Sequence, residues 1–237
     1  MDYADARRHM VDSQLRPNKV TDPRLLDAMR SLPREEFLPP ALRARAYTDQ
    51  DVALPGSRAM LQPMTLGRLL QTAAARPDDR ALVVCAGTGY GAAVLARIGA
   101  RVTALEEDPA LAALARQALA AHLPAGAVRL EAGRCAEGFA AAAPYDVILI
   151  EGEVPAVPEA LTAQLAEGGR LVAIIGNGRR QGAAVLVRRL GGSVSVATVF
   201  DCAAPALPAF TPAPGFVFMN LRPLRHRPRP ASPAGAG

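Results

Sequence analysis

Residues 81–92, Ala-Leu-Val-Val-Cys-Ala-Gly-Thr-Gly-Tyr-Gly-Ala, set an apolar run directly before three glycines, and a second apolar run, Val102 to Leu105, ends in the carboxylate of Glu106. Glycine removes the Cβ, so backbone N–H groups and the start of the following helix can approach a ligand closely. The acid closing the next strand stands where a ribose diol wants an acceptor. Gly87, Gly89 and Glu106 are therefore the candidate cofactor-binding residues. Gly87-x-Gly89-x-x-Ala92 alone is a short pattern, and a tight strand-to-helix turn with no ligand also satisfies it.

Other chemistry-bearing residues are scattered. His9, His122 and His226 lie far from one another, and Cys85, Cys135 and Cys202 form no C-x-x-C pair. No metal site is expected, and the thiols read as reduced and cytosolic. Aromatic residues are 4% of the chain and tryptophan is absent, so no base-stacking platform argues for nucleic acid. The net charge is +5, but Arg222, Arg225, Arg227 and Arg229 supply four of those charges, leaving a body near neutrality.

The elements that would position the glycine turn fall into three parts. Residues 1–78 read as an N-terminal helical extension: a stretch from Tyr3 to Leu15, a helix capped by Asp22-Pro23, and a third opening at Pro63. Residues 79–220 alternate strand and helix. Strands are expected at Ala81–Val84, Val102–Leu105, Val128–Leu130, Asp146–Ile150 and Arg170–Ile175. Helices are expected at Tyr90–Ile98, from Asp108-Pro109 onward, and at Pro158–Leu165. That order implies an α/β fold, a doubly wound, mostly parallel sheet, with antiparallel C-terminal strands at Ala183–Arg188 and Ser193–Phe200. Residues 221–237, rich in proline and arginine, read as a disordered basic tail. No run reaches the roughly 18 apolar residues of a membrane span, and no signal-peptide pattern opens the chain, so a cytoplasmic protein is expected.

In such a sheet the ligand crevice lies beyond the carboxyl ends of the strands. Cys85–Tyr90, Glu106–Asp108, Gly133–Cys135 and Glu151–Val154 should thus face one pocket. For Glu151 and Glu153 a place at its rim competes with that of solvated loop charges.

The chain resembles the protein-L-isoaspartate O-methyltransferase family over roughly residues 8–200. The resemblance rests on Met10-Val-Asp-Ser-Gln-Leu-Arg16, Pro33-Arg-Glu-Glu-Phe-Leu-Pro39, Ala46-Tyr-Thr-Asp49 and Gln62-Pro63. It continues through Gly87-Thr-Gly-Tyr-Gly-Ala-Ala-Val-Leu-Ala96, Ala143-Pro-Tyr-Asp-Val-Ile-Leu-Ile150 and Gln164-Leu-Ala-Glu-Gly-Gly-Arg-Leu-Val172. It implies a Rossmann-like methyltransferase that uses S-adenosylmethionine to methylate the carboxylate of isoaspartyl residues in damaged proteins. Where the family carries Thr-Ile-Ser beside the acceptor, this chain has Ala59, Met60 and Leu61; where it carries an acid and a glycine before the turn, Val83 and Cys85 stand. The family's adenine-facing aspartate corresponds to Arg134, and its small residue after the fourth strand to Glu151. No catalytic residue can therefore be carried over. Arg58 could pair with the acceptor carboxylate, although a surface arginine is the more ordinary expectation.

Three functions fit. The first is a carboxyl methyltransferase acting on isoaspartyl peptides or proteins. The second is a catalytically impaired relative that binds cofactor or partner. The third is a nicotinamide-dependent oxidoreductase using the same glycine turn. The oligomeric state cannot be read from the sequence.

Overall fold

The computed structural model describes residues 2–176 and 182–210. The chain opens with α1 (Tyr3–Met10), capped by the Asp2 carboxylate, and a wide turn continues the helix through Leu15. In α2 (Pro23–Ser31), Asp22 accepts from the Arg24 N–H and Pro23 opens the first turn, as the sequence predicts. A short hairpin follows, β1 (Val52–Leu54) and β2 (Arg58–Met60), turning at Pro55-Gly56-Ser57. Then come α3 (Pro63–Ala73), β3 (Arg80–Val84), α4 (Tyr90–Ile98), β4 (Arg101–Glu106), α5 (Pro109–His122) and β5 (Val128–Ala132). The last part is β6 (Tyr145–Val154), α6 (Glu159–Thr162), β7 (Leu165–Gly176), β8 (Gly182–Leu190) and β9 (Ser193–Cys202).

Seven strands form one sheet in the order β5-β4-β3-β6-β7-β8-β9. The pairs from β5 to β7 are parallel, and β8 and β9 run antiparallel at the edge. This is the expected α/β sheet with antiparallel C-terminal strands. The chain leaves β3 for β4 on one side and returns to β6 on the other, which makes the ends of β3 and β6 the switch point where ligands lodge.

Period-two alternation sorts the strand residues onto two faces. Ala81, Val83, Val102, Ala104, Val147 and Leu149 join one cluster with α3, α4, α5 and the N-terminal segment. Leu82, Val84, Leu105, Ile148 and Ile150 join the other, beneath Leu161 of α6 and Leu207. The helix expected over Pro158–Leu165 is only four residues long, because Leu165 already pairs with Tyr145 and begins β7. The hairpin was not expected: its strands have three residues each, too few for a periodic signal. The sequence readings of residues 211–237, including the basic tail, fall outside the described residues.

Arg34 ties the N-terminal segment together. It is fully buried; its Nε donates to the Ala46 carbonyl (2.7 Å) and Nη2 to the Leu61 carbonyl. Its guanidinium also lies 4.9 Å from the centroid of the Tyr90 ring. Replacing Arg34 by leucine should leave both carbonyls without a donor and cost about 2–4 kcal/mol. Urea unfolding should show this as a lowered midpoint with an unchanged slope.

Candidate functional site

Register places the site. Val84 pairs with Leu105 on one side and with Ile150 on the other, so Glu106, Cys85 and Glu151 stand side by side at one level, where β3 gives way to the glycine turn. Above them lies the glycine turn, with Gly87 at φ +57° and Gly89 at φ +88°. A side chain at Gly89 would crowd Ala115 and Leu119 of α5, whereas the space at Gly87 is open for 4 Å. Gly89 thus serves close packing, and Gly87 leaves room.

Glu106 is fully buried and its carboxylate is saturated. Oε1 accepts from Arg58 Nη1 (2.9 Å) and the Asp108 N–H (3.0 Å). Oε2 accepts from Arg58 Nη2 (3.0 Å) and the Gly87 N–H (2.7 Å). A carboxylate offers about four lone-pair positions, and here all four are taken. Arg58 is not the surface arginine expected: it is 7% exposed, and its Nη2 donates also to the Cys85 carbonyl (2.6 Å). Burial alone would lower its pKa, but the bonds and charge of Glu106, with the neighbouring thiols, hold it above the ordinary value.

The hairpin delivers Arg58. Its tip lies over the start of α5, where a Cβ on Gly56 would stand 3.1 Å from Asp108 Oδ2. β1 and β2 therefore lie across the carboxyl ends of β3 and β4. Ala59 and Leu61, at the positions where the resemblance led one to look for hydroxyls, bring none. Leu61 is buried, and its carbonyl is engaged by Arg34.

Glu151 is the second buried acid. It is 8% exposed, and its Oε1 has no hydrogen-bond partner among the described residues. It packs so closely on α4 that a Cβ on Gly91 would come within 2.1 Å of that oxygen. Burial pushes its pKa to about 8, against the lowering pull of Arg58 and Arg34 and with a raising push from Glu106. Other buried polar atoms without a partner include Arg34 Nη1, Arg58 Nε and the Tyr90 hydroxyl, and burial raises Tyr90 to about 12.

From the four loops expected to face one pocket, Cys85, Glu106, Cys135 and Glu151 lie near one another around Arg58. The Cys135 N–H donates to Glu107 Oε2 (3.0 Å), and the Cys135 thiol beside Cys85, together with burial, raises Cys85 strongly. Arg134 turns away: its exposed side chain pairs with Glu137 at 2.7 Å. Glu153 is buried, not a solvated loop charge, and sits against Gly176 and Gly182 at the β7–β8 end. Sequence reasoning missed Arg34 and the hairpin, although Pro55-Gly56 between Val52-x-Leu54 and Arg58-x-Met60 was an available turn signal. Among the described residues no helix is long and apolar enough to cross a membrane, and no cluster of side chains could hold a metal ion.

The family profile described as protein-L-isoaspartate(D-aspartate) O-methyltransferase matches residues 5–205. A protein-L-isoaspartate O-methyltransferase of Koribacter versatilis is 40% identical over 200 residues, covering 84% of this chain and 89% of that one. One from Methylorubrum extorquens is 43% identical over 175 residues, covering 74% and 76%. Among solved structures, a protein-L-isoaspartate O-methyltransferase superposes with a TM-score of 0.72 at 25% identity, covering 85% of this chain and 65% of that one. A putative protein-L-isoaspartate O-methyltransferase from Plasmodium falciparum, in complex with S-adenosyl-L-homocysteine, gives 0.73 at 17% identity over 86% and 98% and shares the fold.

The buried pair gives a direct stability test. Arg58→Met leaves Glu106 charged and without its guanidinium, and should cost about 3–5 kcal/mol. Adding Glu106→Gln should restore most of that loss, and urea midpoints of the two single variants and the double variant measure the coupling.

Proposed function

The chain belongs to the protein-L-isoaspartate(D-aspartate) O-methyltransferase family, and on that premise we propose that it methylates the carboxylate of isoaspartyl residues in proteins, using S-adenosylmethionine. The observation that carries the reading is the buried Glu106 carboxylate beside an open glycine turn, at the switch point of a methyltransferase sheet. The residues fit the adenosyl group in kind. Gly87 has free space around it, Glu106 is the acceptor a ribose diol requires, and Glu151 presents an unpartnered oxygen on the β6 side.

The fit has one condition. Arg58 fills the positions on Glu106 that ribose hydroxyls would use, so the guanidinium must withdraw before the diol can be accepted. The hairpin itself is anchored in the core by Val52, Leu54 and Met60, so the movement required is that of the Arg58 side chain. Gly87 and Gly89 hold the turn, and the first turn of α4 offers its N–H groups to the ligand.

S-adenosylmethionine supplies an electrophilic methyl group on a sulfonium. The acceptor carboxylate is already a nucleophile at neutral pH, so the protein needs no general base. Its part is to align the attacking oxygen and strip water from it. Ala59, Met60 and Leu61 offer no side-chain donor for that oxygen. Arg58, once released from Glu106, is the cation that the hairpin carries beside them, and it is the group proposed to pair with the acceptor.

This sharing of one arginine between two carboxylates predicts opposite effects from one substitution. Arg58→Ala should bind S-adenosylhomocysteine more tightly than the parent, by calorimetry, because the competitor for Glu106 is gone. The same variant should lose about 10-fold to 100-fold in radiolabelled methyl transfer to an isoaspartyl peptide, since the acceptor loses its charged partner. Glu106→Ala should weaken binding of the same ligand. Undiminished affinity in Glu106→Ala would remove Glu106 from the site, and binding without any transfer in the parent would favour the cofactor-binding, non-catalytic reading.

A further inference from the structure

Glu151 offers the cofactor an unpartnered oxygen, but the scheme above gives it no chemical role. The residue lies in the central strand β6, one position beyond the partner of Val84, and its carboxyl group lies against Gly91 in the first turn of α4. An unpartnered carboxyl oxygen in a buried place is costly unless something pairs with it at another stage. The charges that face it are Arg58 from β2, Arg34 from the turn after α2, and Glu106 from β4. None of these makes a hydrogen bond to its Oε1.

The position says what would pair with it. Glu106 and Glu151 flank Cys85 on either side of β3, about two strand spacings or roughly 10 Å apart along the sheet. The open space at Gly87 lies over the end of β3, so a nucleoside whose ribose were held at Glu106 would have room to extend its 5′ substituent across β3 toward β6. The group carried at that carbon in S-adenosylmethionine is the sulfonium. Building on the cofactor reading above, we propose that Glu151 is the residue that distinguishes the sulfonium from the neutral thioether, ionising when the cation is bound and holding a proton when it is not.

The charge logic is simple. With its carboxyl buried and its pKa near 8, Glu151 is mostly neutral at pH 7 in the empty site. A fixed positive charge against the carboxyl favours the anion, so Glu151 gives a proton to solvent as the sulfonium enters. During transfer a C–O bond forms on the acceptor and the C–S bond breaks, its electron pair staying on sulfur. The sulfonium charge and the acceptor charge disappear together. Glu151, now facing a neutral thioether, takes a proton back from solvent, and the proton count closes over the cycle. The residue thus favours the substrate form of the cofactor over its product.

Calorimetric titration of the full chain at pH 7, in two buffers of different ionisation enthalpy, reads the proton balance directly. S-adenosylmethionine should release close to one proton more than S-adenosylhomocysteine does. Its affinity should rise with pH below about 8, by up to about tenfold per pH unit, while that of the homocysteine analogue should not. The isosteric variant Glu151→Gln subtracts any proton exchanged by the ligands' own amino groups. It should bind both ligands with equal proton balance and lose about tenfold or more of the preference for the sulfonium. Equal proton release for the two ligands in the parent, or an unchanged preference in Glu151→Gln, overturns the role of Glu151 and leaves the cofactor reading intact. Failure of both ligands to bind overturns both. A measurement on the unliganded protein checks the starting state. The proton that Glu151 holds in the fold favours folding below the ordinary carboxyl range, and that contribution is lost as pH rises through about 8. The parent should therefore lose stability relative to Glu151→Gln as pH rises from about 5 to about 8, and parallel stability–pH curves for the two across that window would overturn the proposal.

Discussion

One buried ion pair organises the carboxyl edge of this sheet. Arg58 and Glu106 are both withdrawn from water, and desolvating two charges costs several kcal/mol before their attraction returns anything. The geometry is of the kind that recovers it: two parallel N–H to O bonds, with the remaining acceptor positions filled by the N–H groups of Gly87 and Asp108. Each partner comes from a different element. Arg58 fixes the hairpin, Gly87 the glycine turn, Asp108 the start of α5. Removing the carboxylate would free all three at once, so the pair acts as a clasp on the crevice as well as a store of binding capacity for whatever displaces the guanidinium.

The clasp also explains a conformational oddity beside it. Cys85 adopts φ +55°, a region that costs a residue with a Cβ about 1–2 kcal/mol. In the resemblance this is a glycine position, where the same backbone shape is free of that cost. The chain bears the strain with a cysteine, and the carbonyl of that residue is the one that accepts from Arg58. The turn is thus held by what the side of β2 supplies rather than by glycine alone. That dependence makes the turn and the hairpin one mechanical unit, so movement of Arg58 would release the Cys85 carbonyl together with the Glu106 carboxylate.

The regular part of the fold was legible because its signals are local. Asp22-Pro23 and Asp108-Pro109 cap the helices they announce, and the bounds expected for α4 match those observed, because Gly89 precedes its start and Gly99 at φ +105° ends it. The apolar runs of β3, β4 and β6 are buried on both faces and read as strands without alternation. The site was legible only in outline. Gly87, Gly89 and Glu106 could be picked out by spacing, but the partner of Glu106 is 48 residues away in a hairpin too short to leave a pattern. Arg58 looked like surface because arginine mostly is surface. Glu151 and Glu153, two apart on one strand, looked interchangeable, yet irregular pairing between Leu149 and Glu153 sends one to α4 and the other to the β7–β8 end. Register irregularities of that kind have no sequence signature.

The electrostatics of the crevice bear on how an anionic acceptor can enter it. Arg34, Arg58 and Glu106 are buried together, and with Glu151 protonated this group carries one net positive charge. An ionised Glu151 would cancel it and set a carboxylate in the path of another carboxylate. Burial keeps Glu151 neutral near pH 7 and so keeps the pocket receptive to anions. A bound cation reverses this by stabilising the ionised form, and the two opposite charges then leave the net sign of the group positive. On the proposed role of Glu151 the site therefore keeps one net positive charge whether or not a sulfonium is present, through one proton on one acid rather than through any rearrangement of the sheet.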